Sequence, residues 1–248
     1  DIRLLGKGLQ GSIPSEVGLL QALRRLDLAS NSLEGTIPEE LYDVLSLKEI
    51  FLYQNRLSGT ISDKIINLWS LRKFNLSSNR ISGRIPSTLR SNGRGIYRIH
   101  TFTVYDNQMT GTIPFEGSRL RNMFYLDLGR NRFSGTIPSL DEYVRLRYLY
   151  LDHNQFTGTL PSDIINVGNG RLKVLGVNDN RFRGELPGNH MLITELMQIT
   201  AQNNQFTSMN DRTCKLSVLA TGELSEFKSD CDICDCGKND QMCKHCYN

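Results

Sequence analysis

The phrase LDLASNSLEGTIP occupies residues 26–38 and returns in phase as LDLGRNRFSGTIP from Leu126 and LYLDHNQFTGTLP from Leu149. Its asparagine recurs at Asn31, Asn55, Asn79, Asn107, Asn131, Asn154, Asn180 and Asn204, with gaps of 24, 24, 28, 24, 23, 26 and 24. Apolar residues stand five and three positions before each asparagine, as in Leu26 and Leu28, Phe102 and Val104, or Leu149 and Leu151. Another stands two positions after it, as in Leu33, Met109 and Phe206. A ninth unit opens the chain with Ile2, Leu4, Leu9 and Gly11, where Lys7 replaces the asparagine. A unit this short cannot bury its apolar residues alone, so each copy must stack on its neighbours. The chain is therefore constrained to a solenoid over about residues 1–210.

Within a unit, the alternation of Leu26 and Leu28 marks a short strand with one face inward. Gly35 and Pro38 then turn the chain back. Stacked strands form a parallel sheet about 4.8 Å apart, so nine coils line a curved surface on the order of 40 Å long. The asparagine amide, with two donor hydrogens and an acceptor oxygen, is expected to satisfy backbone groups between coils.

The extended phrase LxGxIP is nearly complete in LEGTIP, MTGTIP and FSGTIP, degrades to LSGTIS at Leu57–Ser62, and is lost at Phe206–Met209. With the period, it resembles the plant-type class of leucine-rich repeat proteins. The resemblance implies an α/β solenoid of about nine repeats, a leucine-rich repeat superhelix with its parallel β-sheet on the concave face. It implies a solenoid over 1–210 and a C-terminal cap over 211–248. Similarity to receptor ectodomains and wall-enzyme inhibitors implies a secreted or cell-surface module that binds a protein, peptide or glycan.

Composition narrows the classes. The 248 residues carry 29 basic and 26 acidic side chains, a net charge of +3 too balanced to favour nucleic acid or an anionic membrane. No run of 18 apolar residues offers a membrane span. The chain opens inside a repeat at Asp1, without a signal peptide or the cysteine cap usual at the N-terminus of secreted relatives, so a processed or truncated chain is expected. All six cysteines, Cys214, Cys231, Cys234, Cys236, Cys243 and Cys246, lie at the C-terminal end. An even count at the open edge of a solenoid reads as a disulfide-rich cap. Zinc is the alternative, because CDICDC and CKHC, with His245, have ligand-like spacings. The extracellular habit of the resembled class favours disulfides. The cysteine order after Asp230 also resembles the tails of secreted microalgal leucine-rich repeat proteins. Asn75-Leu76-Ser77 is the single N-glycosylation sequon, which fits a secreted chain.

Signs of catalysis are weak. GKGLQG at 6–11 matches a dinucleotide loop in letters only, since Leu9 and Gly11 are repeat positions and no helix is opened there. His100, His153, His190 and His245 are scattered and no nucleophile motif accompanies them. The reading is a non-enzyme with no cofactor and no metal site.

The residues between the apolar strand positions face the concave surface. Four tyrosines cluster there in three successive coils, Tyr105, Tyr125, Tyr148 and Tyr150, interleaved with Asp106, Asp127, Asp152 and His153. Phe51 and Tyr53 form a second aromatic pair. Tyrosine combines apolar area with a hydroxyl and suits an interface, so these residues are the expected partner-binding surface. Two alternatives accompany it: a structural part of a cell wall or larger extracellular assembly, and ice binding. The second is raised by Thr36, Thr60, Thr112, Thr136 and Thr159 at one coil position. Arg84 interrupts that row, and Arg90–Arg98 is inserted beside it, so the threonines are expected to be structural.

Overall fold

The computed structural model describes residues 1–90, 96–114, 120–140, 142–162, 164, 167–187, 195–209 and 226–228. Nine of the ten concave strands fall where the apolar alternation placed them. Ile2–Arg3, Arg25–Asp27, Glu49–Phe51, Lys73–Asn75, Thr101–Thr103, Tyr125–Asp127, Tyr148–Tyr150, Val174–Gly176, Gln198–Thr200 and Glu226–Lys228 pair in parallel, in sequence order, as one ten-stranded sheet. The pairing is in register, with Tyr125 beside Tyr148 and Thr101, so residues at one coil position form rows across the sheet. The tenth strand, Glu226–Lys228, pairs onto Gln198–Thr200 from within the segment read as the cap. The cap cysteines, Cys214, Cys231, Cys234, Cys236, Cys243 and Cys246, lie outside the described residues, as do His190 and His245.

The other side of the coil differs from an α/β layout. Where Pro14, Pro38 or Ser62 precedes it, the chain makes a single 3-10 turn, Ser15–Leu19, Glu39–Asp43 and Asp63–Asn67, and Ser87–Arg90 is a fourth. Only about five residues separate that turn from the next strand approach, too few for a stable α-helix. Among the described residues none is α-helical, and no helix is long and apolar enough to cross a membrane. A second ladder, which the repeat pattern did not announce, runs beside the first: Ser82–Gly83, Gln108–Gly111, Arg132–Gly135, Gln155–Gly158, Arg181–Leu186 and Gln205–Met209 form a six-stranded parallel sheet. It arises because the SGT and TGT segments stay extended before the glycine turns the chain.

The core is a stripe between the two ladders. Ile50, Leu126, Leu149 and Leu175 are wholly buried in the concave strands. Two positions after the asparagine, Phe133, Phe156, Phe182 and Phe206 stack at 6.2, 6.1 and 6.3 Å between successive rings, within the range of favourable aromatic contacts. The earlier coils carry Leu33, Leu57, Ile81 and Met109 there, equally buried.

The asparagines act as the sequence implied. Asn131 Nδ2 donates to the carbonyls of Val104, Leu128 and Gly129 at 2.9, 3.2 and 3.0 Å, and its Oδ1 accepts the Met109 N–H at 2.9 Å. Asn55 and Asn154 repeat the pattern in their own coils. One amide thus pairs backbone groups of two coils, groups that would otherwise be unsatisfied inside the stack. The residue before it lies in left-handed backbone: Ser30, Gln54, Ser78, Asp106, Arg130, His153, Asp179 and Asn203 have φ between 48° and 57°. Asp106 and His153 therefore belong to this turn, as well as to the row of polar residues beside the tyrosines.

Candidate functional site: an aromatic and acidic concave groove

In-register pairing decides how the tyrosines meet. Tyr148 lies beside Tyr125 and Tyr150 beside Asp127, so rings on neighbouring strands are held at contact distance by the backbone. The Tyr125 ring centroid is 5.7 Å from that of Tyr148 and 5.5 Å from that of Tyr150. Phe124 lies 5.4 Å from Tyr148 and stacks on His100 at 4.8 Å. These tyrosines face the groove without being freely exposed. Tyr105, Tyr125, Tyr148 and Tyr150 are half-buried, because a strand separation of about 4.8 Å packs neighbouring rings against each other.

Asp127 lies beneath them. It is only 8% exposed. Its Oδ1 accepts the Gly129 N–H at 3.0 Å, and its Oδ2 accepts the Tyr125 hydroxyl at 3.4 Å. Burial pushes its pKa up to about 7, and the charge of Asp152 adds to the rise. Burial also raises the phenols of Tyr125 and Tyr150, with Asp127 contributing, so both stay protonated hydroxyls at neutral pH. Asp152 accepts from or pairs with His153 Nδ1 at 3.0 Å, and His153 Nε2 lies 3.3 Å from Asp179 Oδ2.

Gly129 explains how close these groups come. A Cβ there would sit 2.9 Å from Asp152 Oδ1, 3.2 Å from Asp127 Oδ1 and 3.1 Å from the Tyr105 ring. The missing side chain is thus a condition for two carboxylates and a ring to converge on one point. The groove continues over Asn75, Ser77, His100, Thr101, Thr103 and Phe124, enclosing about 400 Å³. Burial lowers the His100 pKa, with Lys73 and Arg145 adding to the effect, so the ring is neutral at physiological pH. His100 and Phe124 escaped the sequence reading because they stand just ahead of the strand, seven positions before the asparagine. Gly129 escaped it because a glycine has no chemistry to announce.

The structure brings Tyr105, Tyr125, Asp127, Tyr148, Tyr150, Asp152 and His153 into one continuous surface. Phe51 does not join it. Its ring is covered by the Arg25 guanidinium, 4.7 Å from the centroid, in the N-terminal coils. Tyr53 is half-buried on the same side. Asn75 stands in the groove wall with Oδ1 accepting the Ser77 N–H at 2.9 Å. Among the described residues, no group of three or more His, Cys, Asp or Glu side chains is placed to hold a metal ion.

Comparison with known proteins agrees with this architecture. Two family models, both described as leucine rich repeat, match residues 21–81 and 145–167. Among solved structures, a TDR receptor is 29% identical over 89% of this chain and 37% of its own, with a TM-score of 0.79. The Arabidopsis receptor kinase HAESA, solved with the peptide hormone IDA and the co-receptor SERK1, is 28% identical over 91% of this chain and 37% of its own, with a TM-score of 0.78. The chain thus spans a little over a third of the length of these receptors. A plant ice-binding protein shares the fold at 23% identity, over 90% of this chain and 69% of its own, with a TM-score of 0.68. No curated protein matches the chain at significant sequence similarity.

Proposed function

We propose that this leucine-rich repeat superhelix is an extracellular or cell-surface recognition module, and that it holds a peptide segment of a partner in the groove of Tyr105, Tyr125, Tyr148 and Tyr150. The observation that carries the reading is a half-buried aromatic cluster on a concave sheet face, with polar groups arrayed beneath it and no core to fill. The receptors of similar fold support it, since HAESA is seen with a peptide hormone. A chain laid along the face would cross successive strands, meeting rings on one side and the Asn75, Ser77 and Thr103 row on the other. Asn75 belongs to the sequon, so a glycan there would compete for the same space.

The test is affinity for peptides selected from a random display library on the whole chain. Tyr125→Ala, Tyr148→Ala and Tyr150→Ala should each weaken binding by more than about 1 kcal/mol if they are hot spots. Selected peptides that bind the triple variant as tightly as the wild type would move the contact surface elsewhere. Isolation from source material in a fixed-stoichiometry assembly would instead favour a structural role.

A further inference from the structure

Resting on the recognition reading, we infer that the groove takes a basic side chain of its peptide partner, a guanidinium or ammonium group seated against Asp127 and Asp152 among the rings of Tyr105, Tyr125 and Tyr150. The chain contains its own template for this arrangement. Arg25, Asp27 and Ala29 occupy the same coil positions as Tyr125, Asp127 and Gly129, one hundred residues earlier. In the earlier coil, Arg25 donates to Asp27 Oδ2 at 2.8 Å and to Glu49 Oε2 at 2.8 Å, and its guanidinium lies 4.7 Å from the centre of the Phe51 ring. Phe51 is the register partner of Asp27, as Tyr150 is of Asp127. The central coils thus keep the buried acid and the neighbouring ring and lack the cation.

Open space lies beside the acid, since Asp127 lines the groove of about 400 Å³ together with Tyr105 and Tyr125. Asp152 Oδ1, Asp127 Oδ1 and the Tyr105 ring would all lie within 3.2 Å of a Cβ on Gly129, so the two carboxylates converge over a residue that leaves no room for a side chain. Among the described residues, Asp152 pairs with His153 alone, His153 also faces Asp179, and no lysine or arginine is paired with either carboxylate. A buried carboxylate without a cation is costly, and burial of Asp127, with the charge of half-buried Asp152 adding to it, pushes its pKa up to about 7. The tyrosine faces select an organic cation, since an aromatic quadrupole attracts Arg or Lys as well as a carboxylate does. A divalent metal would need more oxygen ligands than the two carboxylates offer.

The experiment uses the full chain and peptides selected on it from a random display library. Selected peptides should share a basic residue. Replacing it by citrulline or acetyl-lysine should weaken binding to the wild type by about tenfold or more, as expected for a charge-assisted pair. On Asp127→Asn/Asp152→Asn the same replacement should cost less than about threefold, whereas Glu49→Gln in the earlier coils should keep the full discrimination. If the double variant does not fold, Tyr125→Arg, which supplies the cation from within, should abolish the preference for basic peptides. Selected peptides without a shared basic residue, or a citrulline effect unchanged in the variants, would overturn this inference and leave the recognition reading standing. Failure of the wild type to select peptides, or selection indifferent to the tyrosines, would overturn both.

Discussion

The coil around Asp27 and the coil around Asp127 are built on one plan and solved in opposite ways. Both place a buried aspartate in the fourth position before the asparagine, under a ring or guanidinium from the same strand. In the earlier coil Arg25 closes the arrangement and Lys73 continues it, 3.3 Å from Glu49, so the surface neutralises itself. In the later coil Tyr125 offers a hydroxyl at 3.4 Å, a much weaker partner for a buried carboxylate. The scaffold is equally regular in both places. A buried carboxylate left with a hydroxyl partner, where the matching coil supplies a guanidinium, fits the proposed binding role of this face.

The largest predicted effect tests whether the scaffold really is common to both regions. Asn55→Ala and Asn154→Ala each delete donors to three carbonyls and an acceptor for the previous coil. Each should cost about 3 kcal/mol, because several buried backbone groups lose their partner at once. Chemical denaturation should give the two variants the same loss within about 1 kcal/mol. A clear inequality would mean that the two regions differ in more than their concave faces.

Neutralising the two aspartates should then act in opposite directions. Asp27→Asn breaks the pair with Arg25 and should destabilise by about 1–2 kcal/mol. Asp127→Asn removes a carboxylate that is costly to charge and should stabilise by about 2 kcal/mol at pH 8. The sign follows from linkage. Below about pH 4 the Asp127 carboxyl is protonated in the folded and unfolded chain alike, and burial costs little. As pH rises, the unfolded chain ionises near 3.8 while the folded chain resists until about 7. The stabilisation from Asp127 is therefore lost between about pH 4 and 7 and stays lost above it. Melting of wild type and Asp127→Asn across pH 4–9 should converge at the acid end and separate upward. Parallel curves would show that Asp127 is already met by a cation.

A smaller effect comes from exchanging the partners. Tyr125→Arg should bring a guanidinium to Asp127 over the Tyr150 ring, a contribution of about 0.5–1 kcal/mol that offsets the loss of the Tyr125 ring contacts only in part, so the net change should be small and destabilising. Its titration is the sharper readout, since Asp127 should then ionise well below 7.

Much of this was legible in the sequence. The period fixed the strand positions, the register and the role of the asparagines, because apolar alternation and a buried amide leave few other ways to stack coils. The tyrosine rows followed from the same register. What could not be read was depth. Period-two alternation says which way Asp127 and Tyr125 point, yet not that neighbouring rings and a bare Gly129 bury them. The second ladder, from Ser82–Gly83 to Gln205–Met209, was hidden because TGT and SGT read as turn chemistry. The 3-10 turns were hidden because the IPSE and IPEE segments satisfy the start of any helix. Phe51 was grouped with Tyr53 by adjacency; it lies in the N-terminal coils, with the strand Lys73–Asn75 between it and the central site and Arg25 over its ring.

The smallest effect concerns the threonine row, which runs through both regions and should not distinguish them. The methyl groups of Thr36, Thr60, Thr112, Thr136 and Thr159 each lie 2.7–3.0 Å from where a Cβ would sit on the facing glycine of the next coil. Those glycines have φ near +80°, as Gly158 does at 79°, so the turn needs glycine and the threonine methyl fills the space it leaves. Arg84 does the same over Gly111 with its aliphatic stem. Thr60→Ser and Thr136→Ser should therefore each cost about 0.5 kcal/mol, the value of one partly buried methyl group. Arg84→Thr should be tolerated within about 0.5 kcal/mol, because it restores the packing used by every neighbour. A row fixed by packing presents its hydroxyls incidentally, and Arg84 interrupts it with a long charged side chain. Dilute solutions of the wild type and of Arg84→Thr should show no thermal hysteresis and no shaping of ice crystals. Activity in the wild type that is lost on replacing Thr136 by a bulky residue would place the function on this row instead of the concave groove.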